Sequence, residues 1–162
     1  MAFREIEDII VEDAKLHYRN FDGEKSQSNP KGALGLGLIL DPAKKDFYYE
    51  EGWKIKVKEY DDPDRETRYY IPVTISFDNP KHMPRIGVLN VKRNVISEVK
   101  PEQLHLYQRN ADIIRYDVIV TPYCWTMPDG SSGVKAYLKE LIMHVQPTGF
   151  EYLEDVPGYR DF

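Results

Sequence analysis

Apolar and polar residues alternate along most of the chain with the period of two that is typical of half-buried β-strands. Five such runs occur before residue 100, at residues 9–21, 33–41, 53–60, 68–77 and 84–93. Two more follow within residues 117–145, where they are joined by a loop. About seven short strands without internal repeats indicate an all-β protein, either a small barrel or a sandwich.

Two short helical segments interrupt the strands. Asp41 is a typical N-cap residue, Pro42 suits a first helical turn, and Gly52 can end the helix in a left-handed conformation. Residues 101–107 predict one or two further helical turns. The expected fold class is therefore all-β with a minor helical content.

Residues 33–41, ALGLGLILD, place leucines on one face of a strand and leave the other face nearly bare at Gly35 and Gly37. A bare face lets a sheet curl tightly or lets another group approach the backbone closely. We expect barrel curvature here. The polar residues 22–32 just before this strand predict a mobile loop, of the kind that either connects elements or closes over a ligand.

Residues 117–138, DVIVTPYCWTMPDGSSGVKAYL, predict a β-hairpin from their β-branched and aromatic strands and their Pro- and Gly-containing turn. Period-two spacing gives each strand one face of interest, with Thr121, Tyr123 and Trp125 on the first and Lys135, Tyr137 and Lys139 on the second. If these faces coincide, rings and ammonium groups lie side by side, as on a surface that binds single-stranded nucleic acid. Core and cross-strand packing is the alternative interpretation.

Residues 53–60 place Trp53 on the core face of a strand and three lysines, Lys54, Lys56 and Lys58, on the opposite face. A hairpin with residues 68–77 would bring Tyr70 close to this basic stripe. Pro72 has no N–H group, so it should lie at a sheet edge or a bulge. The stripe indicates either phosphate contacts or an ordinary solvated face.

The composition is that of a soluble globular domain, with 41% hydrophobic and 30% charged residues among 162. Twelve Tyr, six Phe and two Trp make the chain aromatic-rich. No stretch approaches the roughly 18 apolar residues that span a bilayer, and the acidic N-terminus does not have the pattern of a secretory signal. The single cysteine, Cys124, cannot form an internal disulfide, which favours a reducing cytoplasm.

The formal net charge of −5 argues at first against a nucleic-acid ligand. The acidic residues, however, are concentrated at the two ends. Residues 1–13 hold five acidic and one basic side chain, and residues 151–162 hold four and one, so residues 14–150 carry a charge of +2. A mildly basic body can present a basic groove.

Enzyme motifs are absent from the sequence. The four histidines, His17, His82, His105 and His144, are scattered, and one cysteine cannot form a cysteine-rich zinc site. Three carboxylates at residues 61–64 lie in a predicted exposed turn, which favours solvation over metal binding. We therefore expect a binding protein with no catalytic residues, no metal and no cofactor.

The hairpin resembles that of single-stranded-DNA-binding proteins encoded by tailed bacteriophages, in which a D-x-x-I/V-x-P-Y-x-W run, a Gly-containing turn and a G-x-K-A-Y-L run follow one another. The matching residues here are Asp117, Val120, Pro122, Tyr123 and Trp125, then Gly133, Lys135, Ala136, Tyr137 and Leu138. RNFDG at residues 19–23 and EGWKIK at residues 51–56 fit the same resemblance in order.

The resemblance implies an OB-like small β-barrel over residues 1–150 that coats single-stranded DNA in phage replication and recombination, in the cytoplasm of the bacterial host. Bases would stack on Tyr123, Trp125 and Tyr137, with Tyr70 on the same surface, and phosphates would contact Arg19, Lys54, Lys56, Lys135 and Lys139.

Residues 151–162 form a short acidic tail that ends at Phe162. Many single-stranded-DNA-binding proteins recruit phage or host replication proteins through such an ending, which makes Phe162 a candidate partner-binding residue. The tail departs from the usual pattern because it is short and Arg160 interrupts its acidic run.

Two other interpretations use the same residues. The aromatic face could be a protein interface in an interaction or virion-accessory domain. The nucleic acid could also be RNA, because no 2′-hydroxyl contact can be identified from the sequence.

Overall fold

The computed structural model describes residues 5–27 and 29–147. Over these ranges the chain forms nine strands, one short α-helix and three 3-10 segments. The strands are β1 (Ile9–Ala14), β2 (Leu16–Asn20), β3 (Gly35–Ile39), β4 (Lys56–Lys58), β5 (Arg68–Thr74), β6 (Arg85–Asn90), β7 (Val95–Glu98), β8 (Ile113–Thr126) and β9 (Ser132–Val145). The helix is α1 (Lys45–Glu51), and the 3-10 segments are Pro42–Lys44, Pro80–His82 and Pro101–Tyr107. The predicted all-β class with minor helical content is confirmed.

All nine of these strands belong to one sheet, whose main path runs β1-β8-β9-β5-β3-β2. The two 14-residue strands β8 and β9 form the predicted hairpin and are its longest elements. On its other side β9 pairs in parallel with β5 and then with β6, so it lies at the centre of the sheet. Outside this main path, β4 pairs with β5 and β7 pairs with β6, both antiparallel.

The sheet is not closed into a barrel by strand pairing within the described residues, since β1 and β2 lie at its two ends. A side-chain amide bridges part of the gap. Gln108 Nε2 donates to the carbonyl of Arg19 at 2.7 Å, and Gln108 Oε1 accepts from the amide of Phe21 at 2.6 Å. One glutamine thus satisfies a donor and an acceptor on the edge of β2 as a neighbouring strand would.

The core is formed by alternating strand residues that share one face of the sheet, as the sequence pattern requires. Its fully buried members include Leu36, Leu38, Ile71, Val73, Val118, Val120, Leu141 and Met143. Trp53 is only 2% exposed, which confirms its predicted place in the core. Opposite the buried leucines, the bare face of β3 allows close approach: a Cβ atom on Gly35 would lie 2.6 Å from the carbonyl oxygen of Val73.

The helical segment begins and ends where the sequence predicts, because Asp41 caps the 3-10 segment Pro42–Lys44, which leads directly into α1. The carboxylate of Asp41 accepts a hydrogen bond from the amide of Ala43 at 3.0 Å, and Gly52 ends α1 with φ of 99°. In the described ranges, no helix has both the length and the apolar character needed to cross a membrane.

Three strand assignments differ from the prediction by more than their end residues. The run at residues 9–21 is broken into β1 and β2, because Asp13 takes a positive φ of 53° and the pairing with β8 shifts there. The run at residues 53–60 keeps only Lys56–Lys58 as a strand. Strand β7 was missed because all four of its residues are exposed, so it has no alternation to detect.

Pro72 occupies a place where a missing N–H has no cost. It pairs with Gly37 of β3. On the β3 side, the carbonyl of Tyr69 accepts a hydrogen bond from Leu40, and the amide of Ile75 donates one to Leu34. Because the hydrogen-bonding groups of a strand alternate between its two edges, the nitrogen of Pro72 faces the edge opposite β3. On that edge β4 pairs with β5 only up to Tyr70, and β9 only from Val73. The prediction that Pro72 lies at an edge or a bulge is wrong, because β5 is an interior strand and its pairing with β3 has no bulge. The missing N–H falls instead in a gap between two partner strands.

Candidate nucleic-acid interface

The outer face of the β8–β9 hairpin brings the predicted aromatic and basic residues together. Tyr123 lies opposite Lys135 in the strand register. The rings of Tyr123 and Tyr137 meet edge to face, with centroids 6.2 Å apart. Lys135 Nζ lies 5.1 Å from the centroid of Tyr137, within cation–π range. We call Tyr123, Trp125, Lys135 and Tyr137 the hairpin cluster.

The aromatic rings of the hairpin cluster are accessible. Tyr123 is 47% and Trp125 is 38% exposed, in contrast to the buried Trp53. Trp125 lies opposite Gly133, and a Cβ atom on that glycine would come within 2.6 Å of the indole. The glycine therefore allows the indole to lie against the backbone of β9. This arrangement favours a ligand surface over the alternative of core packing.

A second group of rings, the sheet cluster, consists of His17, Tyr18 and Tyr70 on β2 and β5. His17 stacks on Tyr70 with centroids 4.3 Å apart, and Tyr18 meets Tyr70 edge to face at 6.1 Å. A Cβ atom on Gly37 would lie 2.7 Å from the ring of Tyr18. Tyr18 is 41% exposed. A ring over a glycine is thus common to both clusters.

The electrostatic setting of the sheet cluster keeps His17 neutral. Burial lowers the pKa of His17, and the nearby cations Arg68 and Lys58 lower it further. Arg68 Nη1 lies 3.3 Å from His17 Nδ1. Burial also raises the pKa of Tyr18, with a further contribution from Tyr70. At neutral pH the cluster therefore presents uncharged rings beside positively charged side chains.

Two open grooves run over the outer face of the sheet. The first groove has a volume of about 560 Å³ and is lined by the sheet cluster and Lys56, among other residues. The second groove has a volume of about 540 Å³ and is lined by Trp125, Lys135 and Lys54, among others. Pro72 and Thr74 of β5 line both grooves. The two grooves therefore adjoin at β5, with the sheet cluster lining the first groove and Trp125 and Lys135 of the hairpin cluster lining the second.

Four of the predicted phosphate-binding residues line these grooves, Lys54, Lys56 and Lys135 with exposed side chains and Arg19 with a half-buried one. The guanidinium of Arg19, however, is already engaged in hydrogen bonds within the protein. It donates to the carbonyls of Gln108, at 2.8 Å, and Asn110, at 3.4 Å, and to the hydroxyl of Tyr116. Arg19 therefore helps to hold the open end of the sheet.

Lys139 also has an internal partner. Its ammonium lies 2.7 Å from Oδ2 of Asp8, and this hydrogen bond raises the pKa of Lys139. Phe162 and the acidic tail at residues 151–162 lie outside the described residues.

Sequence reasoning missed Tyr18 and His17 as members of the candidate interface. In the run at residues 9–21, alternation places Tyr18 on the same apolar side as Ala14 and Leu16, which predicts a core position for this ring. The available signal was the bare strand face at Gly37, which an aromatic ring on a neighbouring strand can cover. Recognising it would have required the pairing of β2 with β3.

The proximal half of the hairpin, residues 113–120 of β8 and 140–145 of β9, contains a polar cluster around Asp117. Oδ1 of Asp117 accepts from the backbone amide of Asp13 at 2.9 Å and from Arg115 Nε at 2.8 Å, and Oδ2 lies 2.7 Å from His144 Nε2. Burial alone would raise the pKa of this carboxyl group, but these hydrogen bonds outweigh it and lower the pKa to about 2. Asp117 thus ties β1 to the hairpin.

Comparisons with known proteins agree with this architecture. No curated protein matches the chain. The single-stranded DNA-binding protein from bacteriophage Enc34, solved in complex with ssDNA, is 16% identical over 88% of this chain and 89% of its own, with a TM-score of 0.51. A C-terminal truncation of that protein is also 16% identical, over 88% of each chain, with a TM-score of 0.50. These two structures are similar to this chain in fold.

The family comparison covers nearly the whole chain. Residues 1–157 match the family described as "Putative phage ssDNA-binding domain". The resemblance noted in the hairpin motif is thereby confirmed, and so is the expectation of a binding protein and not an enzyme. The chain belongs to the phage ssDNA-binding domain family.

Proposed function

We propose that this protein binds single-stranded DNA along the outer face of its sheet. The observation that carries the proposal is the junction of the two grooves at Pro72 and Thr74, which links two exposed aromatic clusters into one path. Family membership and the ssDNA-bound relative of similar fold support the same ligand.

The mechanism we infer is base stacking with phosphate neutralisation. Bases would stack on Trp125 at one end of the path and on Tyr18 at the other, each contributing about 1–3 kcal/mol. The ammonium groups of Lys54, Lys56 and Lys135 border the same path and would neutralise phosphates. No bond is made or broken in this role.

The form of the path favours a single strand over a duplex. The path carries no side chain at Gly35, and the neighbouring Gly37 is covered by the rings of Tyr18 and Tyr70. The exposed ring of Tyr18 can be reached by the flat face of an unpaired base. In a duplex the same face is stacked inside the helix, so reaching the rings would require unstacking at a cost of a few kcal/mol per base.

We further infer that the curled sheet is a variant of the OB-type barrel, with its open end bridged by Gln108 and Arg19. The bacterial host cytoplasm is the compartment that suits a single free cysteine and a phage family. Recruitment of replication proteins by the acidic tail and Phe162 is part of the same proposal and rests on the sequence of the tail alone.

Fluorescence anisotropy of a labelled oligo-dT tests the proposal. We expect saturable binding that unlabelled single-stranded DNA displaces and that duplex DNA of equal length displaces at least tenfold less well. An RNA competitor of the same sequence measures the preference between the two nucleic acids. Absence of oligo-dT binding at low salt would contradict the proposal.

A further inference from the structure

The first groove contains a carboxylate where a simple phosphate channel would have none. Glu24, in the loop between β2 and β3, lines this groove together with Tyr18, Tyr70 and Lys56. Within the described residues the Glu24 carboxylate has neither a hydrogen bond nor an ion pair. A carboxylate repels phosphate, so it weakens the groove for its expected ligand unless it contacts another part of the DNA.

The backbone of Glu24 is held in place. The side-chain amide of Asn20 donates to the Glu24 carbonyl at 3.1 Å, and Asn20 Oδ1 accepts from the Glu24 amide at 3.0 Å. Asp22 Oδ1 also accepts from this amide at 3.2 Å. Asn29 braces the far end of the loop, because its side chain bonds both the amide and the carbonyl of Ala33. The backbone that carries this carboxylate is thus held at the wall of the groove.

Base edges provide the matching chemistry. A carboxylate accepts hydrogen bonds from the exocyclic amino groups of cytosine, adenine and guanine. Thymine has no exocyclic amino group, and its one donor, N3–H, lies between two carbonyl oxygens that repel a carboxylate. In a single strand this edge is unpaired and can be read while the base stacks on an aromatic ring. Tyr18, exposed and seated over Gly37, is such a ring in the same groove as Glu24.

We propose that Glu24 reads the edge of a base stacked on Tyr18, so that one position of the bound strand prefers an amino-bearing base to thymine. The phosphates on either side of this base then lie towards Lys56, away from the carboxylate. This inference rests on the proposed single-stranded-DNA function and adds a specificity-determining residue to it.

The test is a set of oligo-dT probes in which a single thymine is replaced by cytosine at each position in turn. At the best position we expect affinity about 5–20-fold above that of unsubstituted oligo-dT, the range given by one charged base contact. N4,N4-dimethylcytosine at that position, which has no amino hydrogen, should bind like thymine. Equal affinities for all probes would overturn the proposal while leaving the function intact.

Variants separate base reading from a general charge effect. Glu24→Ala should abolish the cytosine preference, so that the cytosine-substituted probe and oligo-dT bind this variant equally. Glu98→Gln, which removes the same charge from exposed strand β7 beside a different groove, should keep the preference. The proposal would be overturned if Glu24→Ala raised the affinity for all probes equally, or if the variant kept the preference for cytosine. Loss of binding to every single strand by the wild-type protein would instead contradict the proposed function itself.

Discussion

The two halves of the β8–β9 hairpin, which are separated by a register shift between Ile119 and Val120, use their outward-facing polar groups differently. In the proximal half, Asp117 is bonded to Arg115, His144 and the backbone of β1. In the distal half, residues 121–126 and 132–138, exposed rings lie beside Lys135, which has no ion pair within the described residues. The proximal polar groups stabilise the fold, and the distal ones face a groove.

The difference shows that residue type alone does not separate structural from ligand-binding positions on one hairpin. Lys135 and Lys139 lie four residues apart on β9, and both are exposed to solvent. Only Lys139 meets an acidic partner, Asp8. A lysine side chain is therefore available to bind a DNA phosphate where the fold provides no carboxylate to pair with it.

Replacement of Trp125 by Ala should give the largest loss of DNA affinity. Losing one stacked base should weaken oligo-dT binding about 10–100-fold at moderate salt, because stacking contributes about 1–3 kcal/mol per base. Tyr49→Ala, which removes an exposed ring on α1 outside both grooves, is the matched control and should bind normally. A folded Trp125→Ala protein with normal affinity would place the stacking surface elsewhere.

Asp117→Asn changes the proximal half of the hairpin, so it should lower the stability of the fold and leave DNA affinity unchanged. Removing a charge that accepts three hydrogen bonds should cost about 2 kcal/mol of unfolding free energy at pH 7. Because the folded pKa of about 2 lies below the ordinary value of 3.8, this contribution is present above pH 4 and is lost as the pH falls towards 2.

Urea denaturation of wild type and Asp117→Asn between pH 3 and pH 7 measures this effect, and oligo-dT anisotropy measures binding. The stability difference should shrink at the acidic end. A constant difference across the range, or a loss of DNA affinity in a folded variant, would break the assignment of the proximal half to stability.

The Lys54→Ala/Lys56→Ala double variant should reduce the salt dependence of binding. Each lost phosphate contact lowers the slope of log K against log salt by about 0.7 on a single strand, so the pair should lower it by about 1.4. Lys81→Ala/Lys100→Ala, which removes the same charge outside both grooves, should leave the slope unchanged. An equal effect of the two double variants would mean that net charge, not the groove, sets the slope.

Lys135→Ala and Lys139→Ala give the smallest and most specific contrast. We expect about a threefold loss of affinity for Lys135→Ala, the size of one phosphate contact at moderate salt, and less than half that effect for Lys139→Ala. The reason is that Lys139 is already bonded to Asp8. Equal losses in a parallel titration would show that the ion pair opens when DNA binds.

Much of this architecture could be predicted from local pattern. Alternation located most strands and placed Trp53 in the core, and cap chemistry located α1 between Asp41 and Gly52. The hairpin cluster followed from period-two spacing within one continuous stretch. Such features depend on residues that are close in sequence.

Features that depend on distant strand pairing could not be predicted. The contact of Tyr18 with Tyr70 joins strands separated by about fifty residues, and it required Gly37 between them. Arg19 looked like a free cation, yet residues about ninety positions away accept its hydrogen bonds. The sequence shows which groups exist, while long-range pairing decides which of them already have partners.

The intrinsic fluorescence of Trp125 tests the central claim most directly, since the only other tryptophan, Trp53, is buried. Oligo-dT titrated into the wild-type protein should quench its emission in step with binding, because a stacked base contacts the indole. The same titration of Trp125→Phe, which keeps a ring for stacking, should show binding by anisotropy with no quenching. Wild-type emission that stays constant while DNA binds would contradict the account.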